Sequence, residues 1–294
     1  MRKGWGTIQE GKLGLWGLAF ALPALAYLLL FQLYPILFSL YISLHHYDLL
    51  SSPSYVGFKN LASLPFDRAF LNSVRVTVVY VLYTIIPVIG LSFWLGWALS
   101  RVGQSRAIWR PLIFVPSVMP IVSAALVWKL FFNYQGPVND GLAYLGIHPV
   151  PWLTSSTFAP WALIIMSWWH ATSYYTIIFL TGFLAIPKDY YEAASLDGAT
   201  GLTVLRNITL PLMKPTLSLV VVLSTVNGLK TFAFQQIMTD GGPANSTQIL
   251  TLLIYKTSFS YLNMGKASAY SIVLFIGIMI ISLIQVRLLR SRHV

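Results

Sequence analysis

Long apolar runs alternate with short polar connections along this chain, and many of the runs contain no Lys, Arg, Asp or Glu. A helix that crosses a lipid bilayer needs about 20 predominantly apolar residues. The pattern therefore predicts an all-α, polytopic membrane protein with six transmembrane helices and both termini on the same side. The six spans are predicted at Leu13–Leu44, between Arg75 and Arg101, between Arg110 and Lys129, at Phe158–Ile186, at Pro215–Met238, and between Lys266 and Arg287.

The first apolar stretch begins like a signal peptide, with a basic start followed by Ala, Leu and Pro. Its apolar run, however, continues through Leu28–Phe31, beyond the roughly 7–15 apolar residues of a signal peptide. We therefore expect an uncleaved first span. Pro35 is expected to kink it, because proline removes a helical hydrogen bond.

The composition excludes a soluble globular protein. Of the 294 residues, 56% are hydrophobic and 9% are charged, whereas a soluble domain carries about 25% charged residues. No connection between the spans is long enough to fold alone, so residues 1–294 are predicted to form a single transmembrane domain. Cysteine is absent, which excludes disulfides and thiolate metal sites.

The net charge of +11 is explained by membrane topology, so a nucleic-acid partner is not expected. Cytoplasmic connections of membrane proteins are enriched in Lys and Arg, and the predicted spans divide these residues unequally. One side would hold Arg2, Lys3, Lys12, Arg101, Arg106, Arg110, Lys188, Arg206, Lys214, Arg287, Arg290 and Arg292, and the other Lys59, Arg68, Arg75, Lys129, Lys230, Lys256 and Lys266. Both termini are therefore predicted in the cytoplasm.

A polar and amphipathic segment, Ile186–Pro215, connects the fourth and fifth predicted spans on the cytoplasmic side. Asp189 is predicted to cap a short helix over Tyr190–Leu196, with Glu192 as its capping-box partner. Asp197-Gly198 is predicted to end that helix. We call Ile186–Pro215 the polar segment.

A second short helix is predicted over Ala199–Ile208 of the polar segment, and Pro211 and Pro215 are expected to end the segment and begin the next span. Two short helices at a sharp bend suit a surface that binds a partner protein. The alternative is an ordinary surface loop with some helicity.

Catalytic signatures are absent from the sequence. The chain has eight acidic residues, no two within one span, and it contains no HExxH or GxSxG motif. Met264-Gly265-Lys266-Ala267 approaches a phosphate-binding loop but lacks the earlier glycine and the terminal Ser or Thr. Of the histidines, only His170 falls in a span, where core or pore packing is the preferred interpretation, and no metal site is predicted. A membrane-embedded glycan or lipid transferase is therefore disfavoured.

Ionisable groups within a membrane are candidates for function, and Lys230 is the clearest one. It lies about 22 Å along a helix from Pro215. Asn227, Lys230, Thr231 and Phe234 are spaced three or four residues apart and so share one helical face. This face suits a hydrated path for a polar solute. The alternative is that Lys230 extends to the outer interface or pairs with a neighbour structurally.

The fourth predicted span carries a second aromatic and polar cluster. Trp169, Ser173 and Thr176 share one face, and His170 and Tyr174 share the adjacent face. Aromatic rings stack on sugar rings and hydroxyl groups bond sugar hydroxyls, so this surface could face a carbohydrate. The alternative is helix packing or a membrane interface, where Trp and Tyr are also common.

The polar segment resembles the "EAA" loop of permease subunits of binding-protein-dependent ABC importers. The resemblance rests on Glu192-Ala193-Ala194, Asp197-Gly198-Ala199, Ile208, Leu210-Pro211 and Pro215, all at the family's spacing. Leu205 stands where the family usually has Phe, a conservative change in an apolar position. The resemblance implies the fold of a type I ABC importer permease.

Further segments resemble the carbohydrate-uptake branch, which includes maltose, other oligosaccharide and glycerol-3-phosphate permeases. These are Gly57–Leu61 before the second span, Thr239–Asn245 after the fifth, and Arg287–Arg290 at the end of the sixth. Asp240 replaces the usual first glycine of the second segment. Phe232 is followed by Ala233 where the family often has Asp, which leaves any role of that Asp unfilled.

The resemblance implies a heterodimer with a second related permease, two cytoplasmic ABC ATPases and an extracytoplasmic solute-binding protein, in a bacterial or archaeal inner membrane. ATP and Mg²⁺ would bind the ATPases, and this chain would bind no cofactor. The ATPase-coupling residues would be Tyr191, Glu192, Ala193, Ala194, Asp197, Gly198, Ala199, Leu205 and Pro211. The expected solute path comprises Trp169, Ser173, Tyr174, Asn227, Lys230, Thr231 and Phe234. A channel or carrier that works without ATP is the remaining alternative.

Overall fold

The computed structural model describes residue 17, residues 20–103 and residues 106–289, with the backbone alone described at residue 106. Several predictions lie outside the described residues. They concern the start of the first span, the side chain of Arg106, and Arg2, Lys3, Lys12, Arg290 and Arg292.

Helices account for nearly all regular structure in the described residues. In chain order the elements are α1 (Phe20–Ser43), β1 (His45–His46), β2 (Ser54–Tyr55), α2 (Lys59–Ala62), α3 (Arg68–Arg101), α4 (Arg106–Val118), α5 (Ile121–Phe131), α6 (Pro137–Tyr144), α7 (Ala159–Ala185), α8 (Asp189–Leu196), α9 (residues 201–230), α10 (Ala233–Met238), α11 (Leu250–Tyr255) and α12 (Met264–Leu289). The all-α prediction is confirmed, apart from one ribbon of two-residue strands.

The chain forms two compact units, the first ending at Ser63 and including Thr257–Ile272, and the second comprising Leu64–Lys256 and the residues from Val273. In the first unit, Asn60 Nδ2 donates to the carbonyl oxygens of Ser43 at 2.8 Å and of His45 at 2.9 Å. A Cβ at Gly265 would collide with the His45 carbonyl oxygen. The start of α12 therefore packs directly on the backbone that follows α1.

Helix α1 contains a π-helical turn at Leu29–Leu33, directly before Pro35. Proline cannot donate a hydrogen bond within a helix, and a π turn is a common way to accommodate such a break. The irregularity predicted at Pro35 therefore lies in the turn before it.

In the second unit, α3 begins where the Asp67 side chain accepts hydrogen bonds from the backbone N–H groups of Ala69 and Phe70. It packs along α7. Gly96 allows this close approach, because a Cβ there would lie 2.9 Å from the Cβ of Phe179. Small residues at helix contacts are typical of membrane proteins, where backbones approach closely.

The third span is not the single helix that was predicted between Arg110 and Lys129. Helices α4 and α5 meet at a bend of 92°. Pro120 lies at this bend with an extended ψ of 131°, and a proline also disfavours helical geometry at the residue before it. The pair is a broken span or a re-entrant loop.

Four described helices are long and apolar enough to cross a membrane, at Phe20–Ser43, Arg68–Arg101, Gly201–Met238 and Met264–Leu289, and the bent α4–α5 pair is a fifth candidate. Helix α7 has 27 residues, which is long enough to cross a membrane. Polar residues such as Ser167 and His170 make it less apolar than the other four helices. Length and composition alone therefore support five spans of the six predicted.

The polar segment differs from its prediction at both helices. Helix α8 begins at Asp189, and no side chain caps it. The cap predicted for Asp189 is wrong, because the first turn already closes on Lys188, whose carbonyl accepts from the N–H groups of Tyr191 and Glu192. Asp189 instead lies within the first turn.

The second helix of the polar segment begins at Gly201 rather than Ala199 and continues into the fifth span through Pro211 and Pro215. A π-helical turn at Leu205–Thr209 directly precedes the first of these prolines. Such a turn accommodates the missing proline N–H, so neither proline ends the helix.

Candidate solute cavity and coupling segment

A cavity of about 440 Å³, the central cavity, lies among α3, α5, α7, α9 and α10 in the second unit. Its aromatic wall is formed by Tyr80, His170, Tyr174 and Phe234, and its polar groups include Ser167, Asn227, Lys230 and Thr231. A concave site with apolar walls and a few convergent polar groups is typical of small-molecule binding.

The structure brings five of the seven predicted solute-path residues into this cavity, namely Tyr174, Asn227, Lys230, Thr231 and Phe234. Trp169 and Ser173 instead line a separate groove of about 290 Å³ with Pro116 of α4. The two faces predicted for α7 are thus distinct in the structure, since His170 and Tyr174 share the central cavity. Contact of any of these residues with solute stays a prediction.

The helix break between α9 and α10 shapes the polar end of the central cavity. Lys230 is the last residue of α9, and Thr231 is extended with φ −66° and ψ 148°. The freed carbonyl of Thr231 accepts a hydrogen bond from the Thr251 hydroxyl. Lys230 therefore lies in the last turn of a helix, where the helix dipole favours a cation.

Hydrogen bonds fix several of the polar groups around the cavity. The hydroxyls of Tyr80 and Ser167 are 2.6 Å apart and buried. Asn227 Nδ2 donates to the Tyr175 hydroxyl at 3.1 Å. The ring of His170 meets that of Phe234 edge-on, with centroids 5.5 Å apart. These contacts hold the cavity wall in one arrangement.

The electrostatic character of the central cavity is set by Lys230. No carboxylate lines the cavity. Lys256 and Asp240 form an ion pair at 3.0 Å, and Lys230 takes no part in it. No group of three or more His, Asp or Glu residues among the described residues could hold a metal ion.

In the polar segment, Gly198 ends α8 in a Schellman motif. Its φ is +72°, its N–H donates to the Ser195 carbonyl at 3.2 Å, and the Ala199 N–H donates to the Ala194 carbonyl at 2.9 Å. This 6→1 and 5→2 pairing is the common end of a helix at a left-handed residue. The bend predicted at Gly198 is therefore present.

The predicted coupling residues divide into exposed and buried groups. Glu192, Ala193, Asp197, Gly198 and Pro211 are exposed, whereas Ala194 is buried. Leu196 is 89% exposed and Leu202 is 76% exposed. Leu196 and Leu202 thus leave apolar side chains exposed on both sides of the bend.

Three coupling residues tie the polar segment to the membrane helices. The Tyr191 hydroxyl lies 3.3 Å from that of Thr209. Tyr191, Ala199 and Leu205 line a groove of about 490 Å³ that also includes Arg101 of α3. Leu205 also packs against the buried cluster around Phe179. Tyr191 of α8 therefore contacts α9, and Leu205 of α9 packs against buried residues of α3 and α7.

Comparison with known proteins decides the family. Residues 88–293 match the family described as "Binding-protein-dependent transport system inner membrane component". The chain belongs to this family. It is a transport subunit and not an enzyme, and the EAA motif read in the polar segment is typical of such permeases.

Relatives of this permease align over nearly their whole length. It is 34% identical to the trehalose/maltose transport system permease protein MalF of Thermococcus litoralis over 97% of this chain and 96% of the relative. It is 31% identical to the lactose transport system permease protein LacF of Rhizobium radiobacter, with 94% of each chain covered.

A solved structure confirms the importer permease fold. A chain of a bacterial ABC transporter involved in the import of the acidic polysaccharide alginate superimposes with a TM-score of 0.84. The superposition covers 97% of this permease and 99% of that chain, at 20% identity.

Sequence reasoning missed the contribution of α3 to the central cavity. Tyr80, Thr84 and Val88 of α3 line it at a spacing of four residues. A signal was available, because Thr77, Tyr80 and Thr84 recur at helical spacing within an apolar run. This polar stripe indicates a helix face that avoids lipid.

Proposed function

We propose that this permease forms, with a second related permease, the path for a carbohydrate delivered by an extracytoplasmic binding protein. The observation that carries the proposal is the central cavity, whose lining combines aromatic rings with amide and hydroxyl groups. Relatives named for transport of trehalose, maltose and lactose support the same class of solute.

The chemistry of the cavity suits a sugar. The apolar faces of a sugar ring pack on Tyr174 and Phe234, while Asn227 and Thr231 offer hydrogen bonds to its hydroxyl groups. Cationic solutes are disfavoured, because no carboxylate lines the cavity and Lys230 carries a positive charge there. An anionic sugar derivative is compatible with Lys230.

We further propose that energy enters through the polar segment. Two ABC ATPases, which would bind ATP and Mg²⁺, dock on Tyr191, Glu192, Ala193, Ala194, Asp197, Gly198 and Ala199. Leu205 and Pro211, which lie within α9, pass the movement along that helix. Six spans in a single transmembrane domain, with both termini in the cytoplasm, complete this arrangement.

Purification and reconstitution test the proposal. The permease, tagged and purified in a mild detergent, is expected to bring down an ATPase and a second permease, identified by mass spectrometry. The reconstituted complex should take up radiolabelled maltose, trehalose or lactose only with ATP and the binding protein. Uptake by vesicles that lack an ATPase subunit would instead establish an ATP-independent carrier.

A further inference from the structure

A second pocket of about 220 Å³ lies next to the central cavity in the second unit. It is bounded by residues 72–80 of α3, by the beginning of α7, by α10, and by the connection between α10 and α11. Asn72 and Arg75 of α3 line one side of it, and Ser246 and Thr247 of the connection line another. Apart from Tyr80, the residues that line this pocket do not line the central cavity.

The two cavities follow each other along α3. The second pocket touches α3 from Asn72 to Tyr80, and the central cavity touches it from Tyr80 to Val88. Tyr80 lines both, and its hydroxyl is bonded to that of Ser167 at 2.6 Å. Tyr80 therefore lies between two adjacent cavities.

Gln235 of α10 lines the second pocket and has unusual surroundings. Its exposed fraction is 0%, yet neither Oε1 nor Nε2 makes a hydrogen bond. Its amide lies near the Tyr80 hydroxyl, but without the distance and angle of a hydrogen bond. The buried hydroxyl of Ser246, in the same pocket, also has no partner.

Buried polar groups without partners are rare in native proteins, and each is usually satisfied by water or a ligand. A water molecule takes about 30 Å³ of liquid volume, so the pocket has room for several waters or one sugar ring. Its wall combines apolar side chains, such as Val76, Val79 and Leu163, with a few polar groups. This combination is typical of a site for an amphipathic ligand.

The pocket is held open by a well-bonded wall. Thr247 donates to the Gly242 carbonyl at 2.9 Å, and its hydroxyl lies 2.7 Å from that of Thr239. The Leu250 N–H donates to the Thr77 hydroxyl at 2.8 Å, and Asn72 Nδ2 donates to the Asn245 carbonyl at 3.1 Å. The connection is thereby fastened to α3, and Gln235 and Ser246, whose side-chain polar atoms lack partners, are among the residues that line the pocket.

We infer that the second pocket is a subsite for sugar hydroxyl groups on the solute's route to the central cavity, with Gln235 as its hydrogen-bonding residue. A primary amide suits this role, because it donates and accepts as a hydroxyl group does. The solute would pass from this subsite to the central cavity by displacing the Tyr80–Ser167 contact. The inference rests on the proposed function, since it assigns a second site to the same solute.

The first test replaces Gln235 by leucine in the complete complex and compares it with Gln236→Leu. Gln236 is the neighbouring residue and lines neither cavity. Loss of one or two hydrogen bonds to solute is expected to lower the maximal uptake rate of maltose, trehalose or lactose by about 3–10-fold. The ATPase activity stimulated by the binding protein should remain, so the number of sugar molecules imported per ATP hydrolysed should fall.

If Gln235 has only a structural role, its substitution should not lower the uptake rate. Removing an unsatisfied buried amide is then neutral or stabilising, and uptake by Gln235→Leu equals that of Gln236→Leu. This result would overturn the inference. If the unmodified complex takes up none of the three sugars, the carbohydrate proposal itself is refuted. This outcome is measured before any substitution is made, so it is distinct from failure of the subsite.

The second test uses the absence of cysteine from the chain. Ser246→Cys places one thiol in the pocket, and Ser73→Cys places one on α3 at a buried position that does not line it. A membrane-impermeant methanethiosulfonate cation added outside is expected to modify the first variant and not the second. An unreactive Ser246→Cys would exclude the subsite. Reaction of Ser246→Cys together with normal uptake by Gln235→Leu would show a pocket that holds water only, which also overturns the inference.

Discussion

Replacing Gly198 by proline is expected to disconnect the ATPase while leaving the membrane helices folded. The native φ of Gly198 is +72°, and its N–H donates to the Ser195 carbonyl. Proline fixes φ near −65° and has no N–H. The variant therefore loses about 1 kcal/mol of hydrogen bonding and at least the roughly 1–2 kcal/mol of a left-handed residue. If only the native bend binds the ATPase, docking weakens by about 30–150-fold.

Gly198→Ala is the matched control. A Cβ at this position would meet no heavy atom within 4 Å, so alanine adds only the conformational penalty of about 1–2 kcal/mol. It also keeps the N–H, and we expect partial docking and measurable uptake.

Recovery of ATPase with the tagged permease, ATP-driven uptake and thermal unfolding of the purified permease should be measured for both Gly198 variants. The Gly198→Pro variant should lose the first two and keep the third. Normal uptake by this variant would refute the docking assignment of the polar segment.

Three further substitutions test other parts of the permease. Ala194→Arg should abolish uptake and ATPase recovery without unfolding the spans. The Ala194 side chain is buried at 6% exposure, so a long charged side chain there would disturb the polar segment. Normal uptake by this variant would contradict the coupling role. Lys230→Ala should lower the uptake rate of sn-glycerol 3-phosphate relative to that of maltose by about tenfold or more. Lys230→Arg should keep the ratio of the two rates. Unchanged uptake kinetics of Lys230→Ala for both solutes would show that Lys230 has a structural role only. Gly96→Val should destabilise the permease by roughly 1–3 kcal/mol, because a Cβ there would lie 2.9 Å from that of Phe179. Gly90→Val on the same helix has open space and should leave the melting temperature unchanged.

The polar segment was largely predictable because its determinants are local. The first helix was expected over Tyr190–Leu196 and is found one residue longer, and the bend follows from the freedom of Gly198. The error at the end of the segment came from proline. Pro211 and Pro215 are ordinary signals for the end of a helix, but the π turn at Leu205–Thr209 allows α9 to continue through them. A compensating turn of this kind has no simple sequence signal.

The solute cavity was only partly predictable because long-range contacts decide it. Helical spacing correctly grouped Asn227, Lys230, Thr231 and Phe234 on one face, although the helix breaks among them. At the break, the Thr251 hydroxyl donates to the Thr231 carbonyl from 20 residues away. No pattern within the fifth span reveals that partner.

The unpartnered groups of the second pocket show why the difference between local and long-range contacts matters for function. Residues whose bonds are satisfied within their own helix, such as Thr77 with the Ser73 carbonyl, can be placed from the sequence alone. Gln235 has no such local partner and no tertiary one either. A buried amide of this kind disfavours folding unless something in the functioning protein satisfies it. Gln235 also lines the second pocket, which distinguishes it from Ser73, whose hydroxyl is likewise buried without a partner but lines neither cavity.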